Sequence, residues 1–177
     1  MALTTYALLK TTIANYLNRT DLTSYLGDFI TLTESRMNRE LRVREMVNTD
    51  TTTTTVAGTQ SYSLPSGFLE ASAVIYQSNP YRTLRFMANG DFYRQYNVTQ
   101  TSGLPTFFTI VGENILLGVA PDSAQTLQID FYKTITALSE SNTTNTILTN
   151  YPELYLYVSL AESSPFLMQD ERLNTWG

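Results

Sequence analysis

The sequence has no cysteine and no histidine. Without them there is no disulfide, no thiol chemistry, no Ser-His-Asp or Cys-His nucleophile and no zinc site of the usual His/Cys kind. It also lacks a Gly-x-x-x-x-Gly-Lys phosphate loop, a Gly-x-Gly-x-x-Gly turn and the spaced acidic ligands of a calcium loop. No cofactor and no metal are expected. No stretch approaches the roughly 18 apolar residues of a membrane span. The start of the chain, Met1 to Thr12, has neither the charged opening nor the apolar run of a signal peptide, which fits a protein made and assembled in the cytoplasm. Charge is scarce too. Only 15% of the 177 residues are Asp, Glu, Lys or Arg, so Thr, Ser, Asn and Gln make up much of the polar surface. A polar but weakly charged surface is common where subunits meet.

The charge that is present is uneven. Residues 1–48 hold six basic and five acidic side chains, residues 49–149 four and seven, and residues 150–177 one and four. The balances are +1, −3 and −3, summing to the net −5. General nucleic-acid affinity comes from neutralising phosphates with Lys and Arg, so this chain is a poor candidate for it.

The first 48 residues read as a helical hairpin. Thr4 or Thr5 can cap a first helix carrying Tyr6, Leu9, Ile13, Tyr16 and Leu17 on one face. Asp21 can cap a second, with Leu22, Tyr25, Leu26, Phe29, Ile30, Met37 and Leu41 spaced by three or four as far as about Arg42. Residues 49–149 read as β-rich. The Thr-rich run Asp50–Val56 favours a strand. Strands are also expected at Ser61–Leu64, Phe68–Gln77, Tyr81–Phe86 and Leu127–Tyr132. A hairpin with a glycine turn is expected over Phe107–Leu117, and a short helix over Ala88–Tyr96. Residues 150–177 return to helix. There Asn150 is a cap, Leu154, Tyr157, Val158 and Ala161 form an apolar stripe, and Pro165 interrupts before a further helical stretch. The fold class is α+β: terminal helices forming a bundle, with the β-rich segment inserted between them.

Carboxylate chemistry is the one catalytic route left open, because a glycoside hydrolase needs only two facing acids. Glu70, Asp91, Glu113 and Asp130 are candidates, but sixteen acids are an ordinary surface complement for this size. The basic cluster Arg36, Arg39, Arg42 and Arg44 is interleaved with Glu34, Glu40 and Glu45. The spacing of Arg36, Glu40 and Arg44 permits an ion-pair ladder on one helix face. This cluster reads as a self-paired helix end or as a subunit contact, and less readily as a DNA contact. Tyr76, Tyr81, Tyr93 and Tyr96 gather around the short helix and suit a core, an interface or a sugar platform.

Several stretches, in order along the chain, resemble the head-to-tail adaptor (connector) family of podophage-type virions. They are Leu3–Lys10, Tyr16–Leu22, Phe29–Met46, Ser63–Glu70, Gly103–Gly112, Leu148–Tyr157 and Gln169–Arg172. The resemblance implies a non-enzymatic virion protein at the head-tail junction. It implies a ring of about twelve copies beneath the portal protein, with a tail or nozzle protein below and DNA passing through the lumen without specific binding. An acidic wall would not hold DNA by its phosphates. Arg36, Arg39, Arg42 and Arg44, with Phe166, Leu167 and Trp176 near the C-terminus, are the candidate subunit or portal contacts. The alternatives are a carbohydrate- or receptor-binding virion module and a carboxylate-pair wall-degrading enzyme.

Overall fold

A computed structural model describes residues 3–96 and 102–167. The elements in order are α1 (Tyr6–Leu17), α2 (Leu26–Glu40), β1 (Val47–Asp50), β2 (Ser61–Ser63), β3 (Phe68–Tyr76), β4 (Arg82–Thr83), β5 (Arg85–Phe86), α3 (Asn89–Gln95), β6 (Phe107–Val111), β7 (Asn114–Leu117), β8 (Leu127–Lys133), α4 (Thr146–Asn150) and α5 (Pro152–Glu162). Short 3-10 turns occupy Thr23–Tyr25, Arg44–Met46 and Ser164–Leu167. The class is mixed helix and sheet, in keeping with α+β. Two compact units are present: Met1–Glu45 together with Ile135–Gly177, and Met46–Thr134.

In the helical unit, Thr5 caps α1 as its sequence suggests, its hydroxyl accepting from the Leu8 N–H. Tyr6, Leu9, Ile13 and Leu17 are buried, whereas Tyr16 faces outward. The next junction departs from expectation. Asp21 does not cap α2, because its carboxylate is held by the Arg19 guanidinium through bonds of 3.0 and 2.6 Å. A 3-10 turn then leads into α2, which buries Leu26, Phe29, Ile30 and Met37 as expected, along with Thr33 and Glu34. The helix stops at Glu40, where Leu41 turns extended, and the Arg42 guanidinium donates to the carbonyls of Asn38 and Leu41. Cationic donors at a helix C-terminus satisfy its free carbonyls.

Asn150 is not a cap either; it ends α4. The capping asparagine is Asn145, whose Oδ1 accepts from the Leu148 N–H while its amide donates to the Thr136 carbonyl and the Tyr155 hydroxyl. Ile147 and Leu148 are buried, so the chain has to become helical one turn earlier than the capping-box spacing suggests. Helix α5 follows directly with Pro152 in its first turn and no side-chain cap. The face it buries is Tyr155, Leu156, Ser159 and Leu160, not the expected stripe.

The β unit is built from two four-stranded sheets, ordered β1-β8-β3-β4 and β2-β7-β6-β5. Among the named strands all pairings are antiparallel except β5 with β6, and an isolated parallel bridge joins Gly103 to Pro121. Tyr62, Val74, Tyr76, Leu84, Phe108, Ile115, Leu117, Leu127, Ile129 and Phe131 come from both sheets and form one buried cluster. Strand β8 shows how the sequence produces this: Leu127, Ile129 and Phe131 are buried and alternate with half-exposed Gln128, Asp130 and Tyr132. The β6–β7 hairpin turns on Gly112, whose φ of +60° suits a residue without a Cβ.

Two expected strands are remodelled. The threonine run is not a continuous strand: β1 begins at Val47 and ends at Asp50. The Asp50 carboxylate accepts from the Thr52 N–H and from the Thr52 and Thr53 hydroxyls, a local turn that competes with a ladder. Thr55 is fully buried, its hydroxyl engaged by the backbone of Ser123 and Gln125. The segment Tyr81–Phe86 is split at buried Leu84. Before it, β4 pairs with β3 in one sheet; after it, β5 pairs with β6 in the other. Chains that switch sheets in this way make the corners of a two-sheet packing.

Candidate functional site

Helix α5 is apolar on two sides. At about 100° per residue, Tyr155, Leu156, Ser159 and Leu160 point one way and Leu154, Tyr157, Val158 and Ala161 the other. The first set is core. The second is only partly covered by the chain: Tyr157 is 53% exposed, and Leu154, Val158 and Ala161 are half-buried. Together with Arg36, Met37, Glu40 and Leu41 of the α2 end, they line a groove of roughly 300 Å³. Its floor is apolar. Its charged edge is self-compensated, because the Arg36 guanidinium lies 3.2 Å from Glu40 and 3.3 Å from Glu162.

The seam beneath this groove is held by polar groups. Thr33 and Ser159 oppose one another, and next to them Glu34 is buried at 5% exposure. One Glu34 oxygen accepts from the Leu138 N–H at 2.8 Å and from the Tyr155 hydroxyl at 3.1 Å. Burial pushes the Glu34 carboxyl above its usual range, with those two donors opposing the shift. Burial also raises the Tyr155 phenol, opposed by its bond from Asn145. Among the described residues no fully buried side-chain nitrogen or oxygen lacks a hydrogen-bond partner, which marks this network as a packing device.

Of the seven residues singled out from sequence, the six that are described are not brought into one cluster. Arg36 edges the groove, and Arg39 is exposed on α2. Arg42 closes the end of α2. The expected ladder does not extend to Arg44, since α2 ends at Glu40; Arg44 is 93% exposed and lies 3.8 Å from Glu45. Phe166 packs on Phe29 and Tyr25 with ring centroids 5.1 and 5.3 Å away. Leu167 is buried within the helical unit. Trp176 lies outside the described residues. Sequence reasoning did not nominate Leu41, Leu154, Tyr157 or Val158 as a site. The signal that could have found them is a helix with two apolar faces and only one needed for its own core.

In the β unit the four tyrosines part company. Tyr76 is fully buried and Tyr81 exposed. Tyr93 and Tyr96 join Phe92, Gly58, Thr59, Gln60, Ser61 and Leu116 around a separate hollow of about 450 Å³. The candidate carboxylates lie on different elements: Glu70 on β3, Asp91 on α3, Glu113 in the β6–β7 turn and Asp130 on β8. Asp130 is occupied by the Thr49 hydroxyl at 2.7 Å and the Gln128 amide. Among the described residues no group of three or more acids is placed to hold a metal ion, and no helix is long and apolar enough to cross a membrane.

No curated protein matches the chain. The family model of the SU10 adaptor protein matches residues 4–177, nearly the whole length and both units. A match of that extent leaves one assignment: the chain belongs to the SU10 adaptor protein family of phage head-tail adaptors.

Proposed function

We propose that this protein is a non-enzymatic structural adaptor whose copies form a ring, about twelve of them, between the portal protein and the tail or nozzle protein of a virion, with DNA passing through the lumen. In this reading the terminal helices form a bundle that meets neighbouring copies and the portal, and the β unit is an insertion in it. The observation that carries it is the second apolar face of α5. A monomer gains nothing from leaving Tyr157 and the uncovered parts of Leu154 and Val158 in water, whereas an assembling subunit buries them. Family membership and the weakly charged, Thr- and Asn-rich surface support the same reading. The test is to mix the purified protein with the portal protein of the same genome and examine the mixture by negative-stain microscopy. An added ring on the portal is expected; bare portals beside free protein would refute the adaptor role.

The aromatic hollow at Phe92, Tyr93 and Tyr96 favours a second reading, a carbohydrate-binding virion module, since sugars stack on exposed rings beside polar groups. A glycan array with Tyr93→Ala as control separates the two readings.

A further inference from the structure

We propose that residues 81–87, the corner of the β unit, are a docking surface for an acidic, extended segment of a partner protein. Arg82 and Arg85 receive its carboxylates, and the open edges of β4 and β5 receive its main chain. Every residue of this surface belongs to the β unit, so it is separate from the α2–α5 groove and does not depend on ring formation.

Among the described residues the two most exposed large apolar side chains are Tyr81, at 70%, and Phe86, at 61%. Between them stand Arg82 and Arg85, also exposed. Neither arginine has an ion-pair or hydrogen-bond partner among the described residues. The third arginine of the unit, Arg94, lies 3.6 Å from Asp91. Residues 46–134 hold four basic and six acidic side chains, a balance of −2, yet no carboxylate is set against Arg82 or Arg85. Their Cα atoms are at most about 10 Å apart, three residues along the chain. Two like charges so near each other are unfavourable until an anion lies against them. Arginine beside exposed aromatic rings is also the composition that dominates binding at protein interfaces.

The backbone beneath these side chains is fixed. Leu84 is buried at its middle, and its N–H donates to the Val74 carbonyl at 2.8 Å. Strands β4 and β5 each stand last in their sheet, so each has one open edge. The Arg85 and Met87 N–H groups donate to the carbonyls of Thr106 and Phe108 at 2.9 Å. Strand alternation turns the Phe86 N–H the other way, toward the open edge. Such an edge is completed by another extended chain. Beside Phe86, a hollow of about 600 Å³ lined by Phe68, Ala71, Phe108 and Ile110 has room for apolar side chains. The segment that fits therefore alternates acidic and apolar residues. Duplex DNA fits less well, because two cations in a unit of net −2 neutralise few phosphates.

The probe is the fluorescein-labelled peptide Val-Glu-Val-Glu-Val-Glu, read by fluorescence anisotropy against the full chain. Val-Lys-Val-Lys-Val-Lys reverses its charge. Pro-Glu-Pro-Glu-Pro-Glu keeps the charge but lacks an N–H at alternate positions, so it cannot complete a strand edge. The first peptide is expected to bind at least about tenfold more tightly than either of the others. Arg82→Glu combined with Arg85→Glu, checked for unchanged circular dichroism, should reverse the preference to the lysine peptide. No binding at about 1 mM peptide, an unchanged preference in the variant, or equal binding by the proline peptide would overturn the inference. A DNA duplex that binds more tightly than the peptide, and is lost in the variant, would also overturn it and give the surface to nucleic acid. Self-association of the wild-type chain that the variant abolishes in sedimentation would overturn it in favour of a second copy.

Discussion

Thr33 of α2 and Ser159 of α5 face one another across the helical unit with their hydroxyls 3.0 Å apart, both fully buried. Thr33 also bonds the Phe29 carbonyl one turn back at 2.8 Å, so the pair is satisfied without water. Small side chains at this point let the two helices approach. Ser159→Ala is expected to cost about 0.5–1.5 kcal/mol, through the lost hydrogen bond. Ser159→Leu should cost more, roughly 1–3 kcal/mol, by overpacking the seam. Urea midpoints of the three proteins check the order; a Leu variant as stable as the Ala variant would contradict it.

Glu34 should make stability depend on pH. Burial holds its folded-state pKa above the ordinary value of 4.5, so the folded chain binds that proton more tightly than the unfolded chain does. Its contribution is therefore fully present below the unfolded pKa and lost as pH rises through the folded one. Glu34→Gln removes that dependence while keeping an acceptor for Leu138 and Tyr155. The variant is expected to gain on the wild type as pH rises from about 4 to about 7. Glu34→Ala orphans both donors and should cost about 1–3 kcal/mol or more throughout. Thermal melts across this range read both effects; a Gln-minus-wild-type difference that does not move with pH would contradict the first.

The two asparagines around α4 should behave differently. Asn145→Ala removes a cap bond to Leu148 and two amide bonds, so a loss of about 1–2 kcal/mol or more is expected. Asn150→Ala, at an exposed helix end, should stay within about 0.5 kcal/mol. Equal losses in denaturant titrations would restore Asn150 as the cap.

Gly67 leads into β3 with φ +73°, and a Cβ there would sit 2.7 Å from the Thr134 hydroxyl oxygen. Gly67→Ala combines a disfavoured backbone with a clash and is expected to cost about 1–3 kcal/mol. Gly58 has a similar φ but open space around it, so Gly58→Ala should cost less. Paired melting curves test the ranking.

These positions show what the sequence makes legible. Alternation alone locates β8, and the three-four spacing locates α1 and α2, because each buries one face and wets the other. Helix α5 defeats the same rule. Its buried face includes Ser159, its open face is made of Leu154, Tyr157, Val158 and Ala161, and hydropathy favours the wrong one. The threonine run misleads for another reason: β-branched residues favour strands on average, but Asp50 offers its hydroxyls and amides a local acceptor. Of the candidate site, only Arg36 is legible, as one of four arginines close together in sequence, of which Arg42 and Arg44 lie beyond the end of α2. The groove is not, since its walls come from residues more than a hundred positions apart.

The split at Leu84 also sets how this chain would carry force. Its N–H bonds the Val74 carbonyl in one sheet, while Arg85 and Met87 bond Thr106 and Phe108 on the other side. Tension along residues 82–87 therefore divides between two sets of hydrogen bonds, and neither sheet can be peeled from its edge without loading the other.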